Sequence, residues 1–277
     1  MAIHYFCGEQ NTFPVSFFKA NDTKCSFNQI LKMKFIGIIP ARYESTRFPG
    51  KPLAMLGNKP MIQWVYENVS KALEQVWVAT DDDRIFSAVN QFGGNAVRTL
   101  YTHQSGTDRC AEAARILAEK TDFDVIINVQ GDEPFIQPDQ IELLKSCFDG
   151  KTEIATLVKK IENSEEELFN PNRPKVVLNK NAEALYFSRS PIPFIRGSEE
   201  KEWIQKNTFW SHIGMYAYTS KVLQVITKLE HGTLEQAESL EQLRWLESGF
   251  KIKTAVTEHQ SIGIDTPEDL NNALQLF

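Results

Sequence analysis

The sequence predicts a three-layer α/β/α domain built on a mostly parallel central sheet. Three observations predict it: short apolar runs spaced along the first half of the chain, segments of helical periodicity between them, and polar clusters just past the runs. Strand and helix alternating in this way give βαβ units, whose parallel strands are covered on both faces. Ligands of open α/β sheets bind beyond the carboxyl ends of the strands, which makes the polar clusters candidate site segments.

Taken in order, residues 34–39 carry Ile36, Ile38 and Ile39 in a run that predicts a buried first strand. From Lys59 to Ala72, Met61, Ile62, Val65 and Val69 recur at helical spacing; VWVAT at 76–80 predicts the next strand, ending in Asp81, Asp82 and Asp83. A helix over 83–91, a Gly93-Gly94 turn and a strand in AVRTL follow. Residues 107–119 predict a helix capped by Thr107 or Ser105, with Cys110, Ala114, Ile116 and Leu117 on its less polar face. VIINV at 125–129 is nearly all apolar, as a central parallel strand requires. IATLV (154–158), KVVLN (175–179) and ALYFS (184–188) predict strands, with ENSEEELFNPNRP as a solvated face or short helix. A loop from Arg189 to Trp210 leads to the strand HIGMYAYTS, with His212 at its start. Helices at about 219–229 and 234–248 and a strand in KIKTAVTE follow; in the last helix Thr266 caps, Pro267 takes the first turn and Asp269 the capping-box position. The block from about 150 to 215 is strand-rich and reads as a subregion inserted into, or extending, the sheet.

The chain has 277 residues, enough to bury a full core, and its 42% hydrophobic and 24% charged composition is that of an ordinary globular protein. Thirty Lys plus Arg against 36 Asp plus Glu give a formal charge of -6 and a pI near 5.5. That balance speaks against a nucleic-acid partner and leaves a local basic site for a small anion. Cys7, Cys25, Cys110 and Cys147 are scattered and form no C-x-x-C pair, so they read as thiols in a reducing compartment. No apolar run approaches the roughly 18 residues a membrane span needs, so no membrane insertion is expected. Residues 1–32 match neither a secretory signal nor a clean periodicity and precede a second methionine. They are expected to be a non-native or poorly ordered extension, with the domain at 33–277; packing of Phe6, Phe13, Phe17, Phe18 and Phe27 on the body is the alternative.

The loop after the first strand, ARYESTRFPGKPL, holds Arg42, Arg47 and Lys51 among Pro40, Pro49 and Pro52, with Gly50 permitting a turn. Guanidinium forks and a mobile ammonium can surround phosphates; a solvated cationic loop is the plain alternative. In QGDEP, Asp132 directly follows the central strand, and Asp265 precedes the last helix. If the fold joins them, two hard oxygen ligands with triphosphate oxygens suit magnesium; read by spacing alone they are two turn or cap aspartates. In HQSGTDR, Ser105 and Thr107 can donate to a base or ribose and Gly106 permits close approach, although the same residues make a plain helix cap. His103 shows no base partner in the sequence, and the G-x-S-x-G elbow of a serine hydrolase is missing.

Taken together, FIGIIPARYESTRFPGKPL, ATDDDRI, HQSGTDR, NVQGDEPFI, KVVLNKNAEALYFSRSPIPF, HIGMYAY, LEQLR and GIDTPEDL closely resemble the 3-deoxy-manno-octulosonate cytidylyltransferases, the CMP-Kdo synthetases. The resemblance runs in consistent order from about Met33 to about Leu274. It implies a nucleotide-diphospho-sugar transferase-like, Rossmann-like fold and the transfer of CMP from CTP to 3-deoxy-D-manno-octulosonate (Kdo), with pyrophosphate released. By this resemblance Arg42, Arg47 and Lys51 bind the triphosphate, while Ser105, Gly106, Thr107 and Gln130 surround the cytidine. Asp132 and Asp265 become Mg2+ ligands, catalytic together with Arg42 and Lys51. Arg189, His212, Tyr216, Glu241 and Gln242 match the sugar-acid pocket, Arg189 as a partner for the sugar's carboxylate. The family further implies a cytoplasmic homodimer that feeds lipopolysaccharide assembly, with the PIPF loop and a Leu234–Leu246 helix as candidate surfaces. A cytidylyltransferase for 8-amino-Kdo or a nonulosonic acid, and a CTP-binding regulator without turnover, remain the alternatives.

Overall fold

In the computed structural model, residues 33–45, 47–162, 165–260 and 262–275 are described; the expected extension at 1–32 lies outside them. Strand β1 (Phe35–Pro40) buries four consecutive residues, as a strand covered on both faces must. A tight hairpin of β2 (Met55–Leu56) and β3 (Lys59–Pro60) leads into α1 (Met61–Ser70). That helix buries Met61, Ile62, Val65 and Val69 along one stripe, each worth about 1.5–3 kcal/mol of transfer free energy. After β4 (Val76–Thr80), Asp82 caps α2 (Asp83–Gln91) by accepting from the Arg84 and Ile85 N–H groups. Next come β5 (Ala96–Arg98) and α3 (Gly106–Leu117), which starts in a reciprocal capping box between Ser105 and Asp108.

β6 (Val125–Asn128) is buried throughout. It is followed by α4 (Pro138–Ser146), a helix the sequence reading left out: its buried residues are Gln140, Ile141 and Leu144, too few to impose a visible period. β7 (Ile154–Ile161), α5 (Glu165–Phe169), β8 (Lys175–Leu178) and β9 (Ala184–Ser188) come next. The segment from Arg189 to Trp210 holds the short α6 (Trp203–Lys206), and β10 (Phe209–Thr219) begins three residues earlier than His212. α7 (Ser220–Ile226) follows. The single helix expected over 234–248 is two, α8 (Thr233–Glu238) and α9 (Gln242–Glu247), because Ser239 turns left-handed at φ 51°. β11 (Ile252–Val256) and α10 (Pro267–Leu274), capped by Thr266 and Asp269, complete the order.

The nine-stranded sheet runs β11–β7–β10–β6–β1–β4–β5, with β8 on β10 and β9 on β8. Its ladders make every strand but β9 and β10 point the same way. Two cores cover its faces. Ile36, Ile38, Cys110, Leu117, Tyr218 and Trp245 pack on one side; Ile39, Ile62, Val65, Ile141, Leu144 and Leu157 pack on the other. The strands of 150–215 thus join the main sheet. In β10, Ile213 pairs with Leu157 but Tyr216 with the adjacent Thr156, so Gly214 and Met215 bulge out of register.

Candidate active site

The loop after β1 is held by its backbone. Gly50, at φ 73°, donates to the Tyr43 carbonyl at 2.8 Å, and a Cβ there would come within 3.0 Å of the Tyr43 ring. A short 3-10 turn, Lys51–Leu53, starts immediately after and aims Lys51 inward, leaving its side chain 13% exposed. The loop after β6 approaches so closely that a Cβ on Gly131 would sit 3.0 Å from the Pro40 carbonyl oxygen. Ile264 donates to the Asp132 carbonyl at 2.9 Å, and the Asp265 N–H donates to Asp269 at 3.0 Å.

These constraints bring together residues from three distant parts of the chain. Lys51 Nζ lies 2.5 Å from Asp132 Oδ2 and 3.0 Å from Asp265 Oδ1, and Arg47 Nη2 lies 3.1 Å from Asp265 Oδ2. Burial alone would lower the Lys51 pKa; the two carboxylates override it and raise the value, so the ammonium stays charged. A cavity of about 250 Å³ joins this cluster to Arg42, Ser105, Gly106, Arg109 and Gln130. Of the residues expected around a nucleotide, Thr107 alone lies off the lining: it is buried, and its hydroxyl donates to Glu241 Oε2 at 2.6 Å. Ser105 also donates to Glu241, at 3.2 Å, while accepting from the Asp108 N–H. In this state both hydroxyl protons are spent on a carboxylate.

Two features were missed from the sequence. Arg109, buried on the cavity wall, donates to Thr99 Oγ1 at 2.6 Å and pairs with Asp81 Oδ1 at 2.8 Å. Both lie in quoted motifs, and only the packing of α3 beside β4 joins them. His103 does have a carboxylate partner, Glu112, at 2.6 Å. Burial pushes Glu112 up, but bonds from His103 and the Leu100 N–H override it and hold the carboxyl below its usual range.

The expected sugar-acid residues fall in separate groups, and none of the five lines the cavity. Half-buried Glu241 also accepts from Arg244 at 2.9 Å; burial raises its pKa. Gln242 is 5% exposed, with its Nε2 unpartnered. His212 packs between Phe187 and Tyr216, at ring separations of 5.0 and 5.3 Å, and this enclosure pushes its pKa down to about 3. Thr156 gives its one hydroxyl proton to a backbone carbonyl, best to Met215 at 2.8 Å, so the His212 Nε2–H donates to Thr156 at 3.0 Å. The neutral ring is therefore a satisfied strand histidine here. Arg189 is held by backbone carbonyls. Its Nε donates to the Glu238 carbonyl at 2.6 Å, Nη1 to Pro171 at 2.9 Å and Nη2 to Ser239 at 3.2 Å. The carbonyls that end α8 carry excess negative partial charge and draw the guanidinium to them.

A family model described as Cytidylyltransferase matches residues 36–252. The 3-deoxy-manno-octulosonate cytidylyltransferase of Parabacteroides distasonis is 61% identical over 246 residues, covering 87% of this chain and 97% of the relative. That of Bacteroides thetaiotaomicron is 58% identical over 244 residues, covering 87% and 97%. The solved structure of a CMP:2-keto-3-deoxy-manno-octonic acid synthetase complexed with CTP matches with a TM-score of 0.80 at 44% identity, over 88% of this chain and 98% of that one. Likeness this close over nearly the whole length of each relative, on a fold with the same layers, makes the chain a member of the 3-deoxy-manno-octulosonate cytidylyltransferase family.

Proposed function

We propose that this chain transfers CMP from CTP to Kdo and releases pyrophosphate. The observation that carries the reading is the convergence of Lys51, Arg47, Asp132 and Asp265 on one cavity with Arg42, Ser105, Gly106 and Gln130. Relatives named for this reaction, and a solved relative complexed with CTP, support it. In the reaction the anomeric 2-hydroxyl oxygen of the sugar forms a bond to the α-phosphorus, the bond to the β-phosphate oxygen breaks, and the hydroxyl proton is lost. Both reactants are anions. Arg42, Arg47 and Lys51 offset their repulsion and stabilise charge on the departing pyrophosphate, while the cavity fixes their approach.

Mg2+ is part of the proposal. Asp132 and Asp265 already face one cation, the Lys51 ammonium, so the donor set suits a second hard cation. Two carboxylates would leave the remaining positions around the ion to phosphate oxygens and water. When bound, Mg2+ would lower the pKa of the attacking hydroxyl and neutralise the pyrophosphate. A cytoplasmic homodimer is proposed on the family resemblance. Among the described residues no helix is long and apolar enough to cross a membrane.

The test is Mg2+-dependent pyrophosphate release from CTP with Kdo, 8-amino-Kdo or sialic acid. Release with Kdo is expected, with a loss of about 10²-fold or more in Asp132→Asn and Asp265→Asn while folding is kept. Release with another acid alone would replace the sugar, and unchanged activity in both variants would remove the carboxylates from the reaction.

A further inference from the structure

Around one seam of the sheet, buried polar atoms of Asn128, Tyr216, Tyr218, Gln242 and Trp245 lie without a hydrogen-bond partner, and three of them, on Asn128, Tyr216 and Gln242, bear on the site. Asn128, the last residue of β6, is 1% exposed, and its Oδ1 is unpartnered. Its register neighbour on β10 is Tyr216, so the two side chains rise on the same face; Tyr216 is 7% exposed and its Oη is also unpartnered. The Tyr216 ring meets Trp245 edge-on at 5.1 Å, and Trp245 shares α9 with Gln242, three residues away, whose Nε2 is the third such atom. The seam adjoins the cavity through the chain itself, since Gln130 and Asp132, both on the lining, lie two and four residues after Asn128.

An unpaired buried polar atom costs about 1–3 kcal/mol, and native proteins keep few of them without a bound group to answer them. Here an amide acceptor and a phenol that can donate or accept stand side by side, and an amide donor lies on the helix whose Trp245 packs against the phenol. The complement of that set is a polyhydroxylated compound. Tyr216 and Gln242 already belong to the sugar-acid set; Asn128 does not, and it alone of the three stands on the strand that delivers Asp132.

We infer that Asn128 is a substrate-binding residue whose side-chain oxygen accepts a hydrogen bond from a hydroxyl of the sugar acid. The inference rests on the proposed cytidylyltransferase reaction. It also carries a stability signature: loss of an unsatisfied polar atom offsets part of the cavity cost of truncation, so Asn128→Ala should cost the ligand-free protein less than truncating a hydrogen-bonded asparagine.

The experiment measures pyrophosphate release with CTP and Kdo varied in turn, together with thermal unfolding with and without Kdo, in wild type and Asn128→Ala. Expected are a KM for Kdo raised about 10-fold, a KM for CTP changed by less than about 2-fold, and at most a small fall in Tm without ligand. The Tm rise on adding Kdo should shrink in the variant. An unaltered KM and an unaltered Kdo-induced shift would overturn the inference and assign the seam to buried water. Should Asn128→Ala fail to fold, Asn128→Ser carries the same expectation and the same overturning result. Wild-type protein that releases no pyrophosphate with any sugar acid would instead sink the reaction on which the inference rests, so the two failures are told apart.

Discussion

At His212 the surroundings decide the protonation state. Packing against Phe187 and Tyr216 lowers its pKa from the ordinary 6.5 to about 3, so the folded chain binds fewer protons there than the unfolded chain between those values. Stability from this residue is therefore complete above about pH 6.5 and lost as pH falls below it, by at most about 1.4 kcal/mol per pH unit. His212→Gln should flatten that acid limb in urea unfolding measured at pH 4–7; an unchanged limb would show that the ring is not held neutral. The cations of the first loop were legible from the sequence because Arg42, Arg47 and Lys51 lie close together in the loop that directly follows one strand. Arg109 and Asp81 were not, since nothing local pairs a helix residue with a strand end so far away. Arg189 was legible as a cation, but its contacts were not: the sequence displays a guanidinium, while the fold sets it against the carbonyls that close α8.

Among the elements, the runs that became β1, β4 and β6 were readable because burial on both faces leaves an apolar stretch that nothing else explains. The α8–α9 corner was not. LEQAESLEQLRWL keeps a helical period across Ser239, and the break is a single backbone dihedral that periodicity does not register. A non-glycine residue in the left-handed region costs about 1 kcal/mol. Ser239→Gly should therefore stabilise the protein by up to about that amount in denaturant unfolding, and Ser239→Val should destabilise it. If Gly proved less stable than Ser, the Ser239 side chain would have to supply a compensating contact.

Over the whole molecule, the sheet and its two cores are complete by the end of β11, yet the site is not. Asp265 reaches Asp132 and Lys51 only because Ile264 hydrogen-bonds the Asp132 carbonyl and packs, with Ala273, against Leu56 and Met61. Removing the chain from Ile264 onward should leave the far-UV circular dichroism of the sheet largely intact, lower Tm, and abolish pyrophosphate release; retained release would exclude Asp265 from the chemistry. This late closure also sets a clock. Lys51 and Asp265 are separated by 214 residues, which at about 5–20 residues per second amounts to roughly 10–40 s of synthesis. Throughout that interval a ribosome-bound chain carries the loop cations without the second carboxylate, and the cluster is complete only once Asp265 has been added and has left the ribosome.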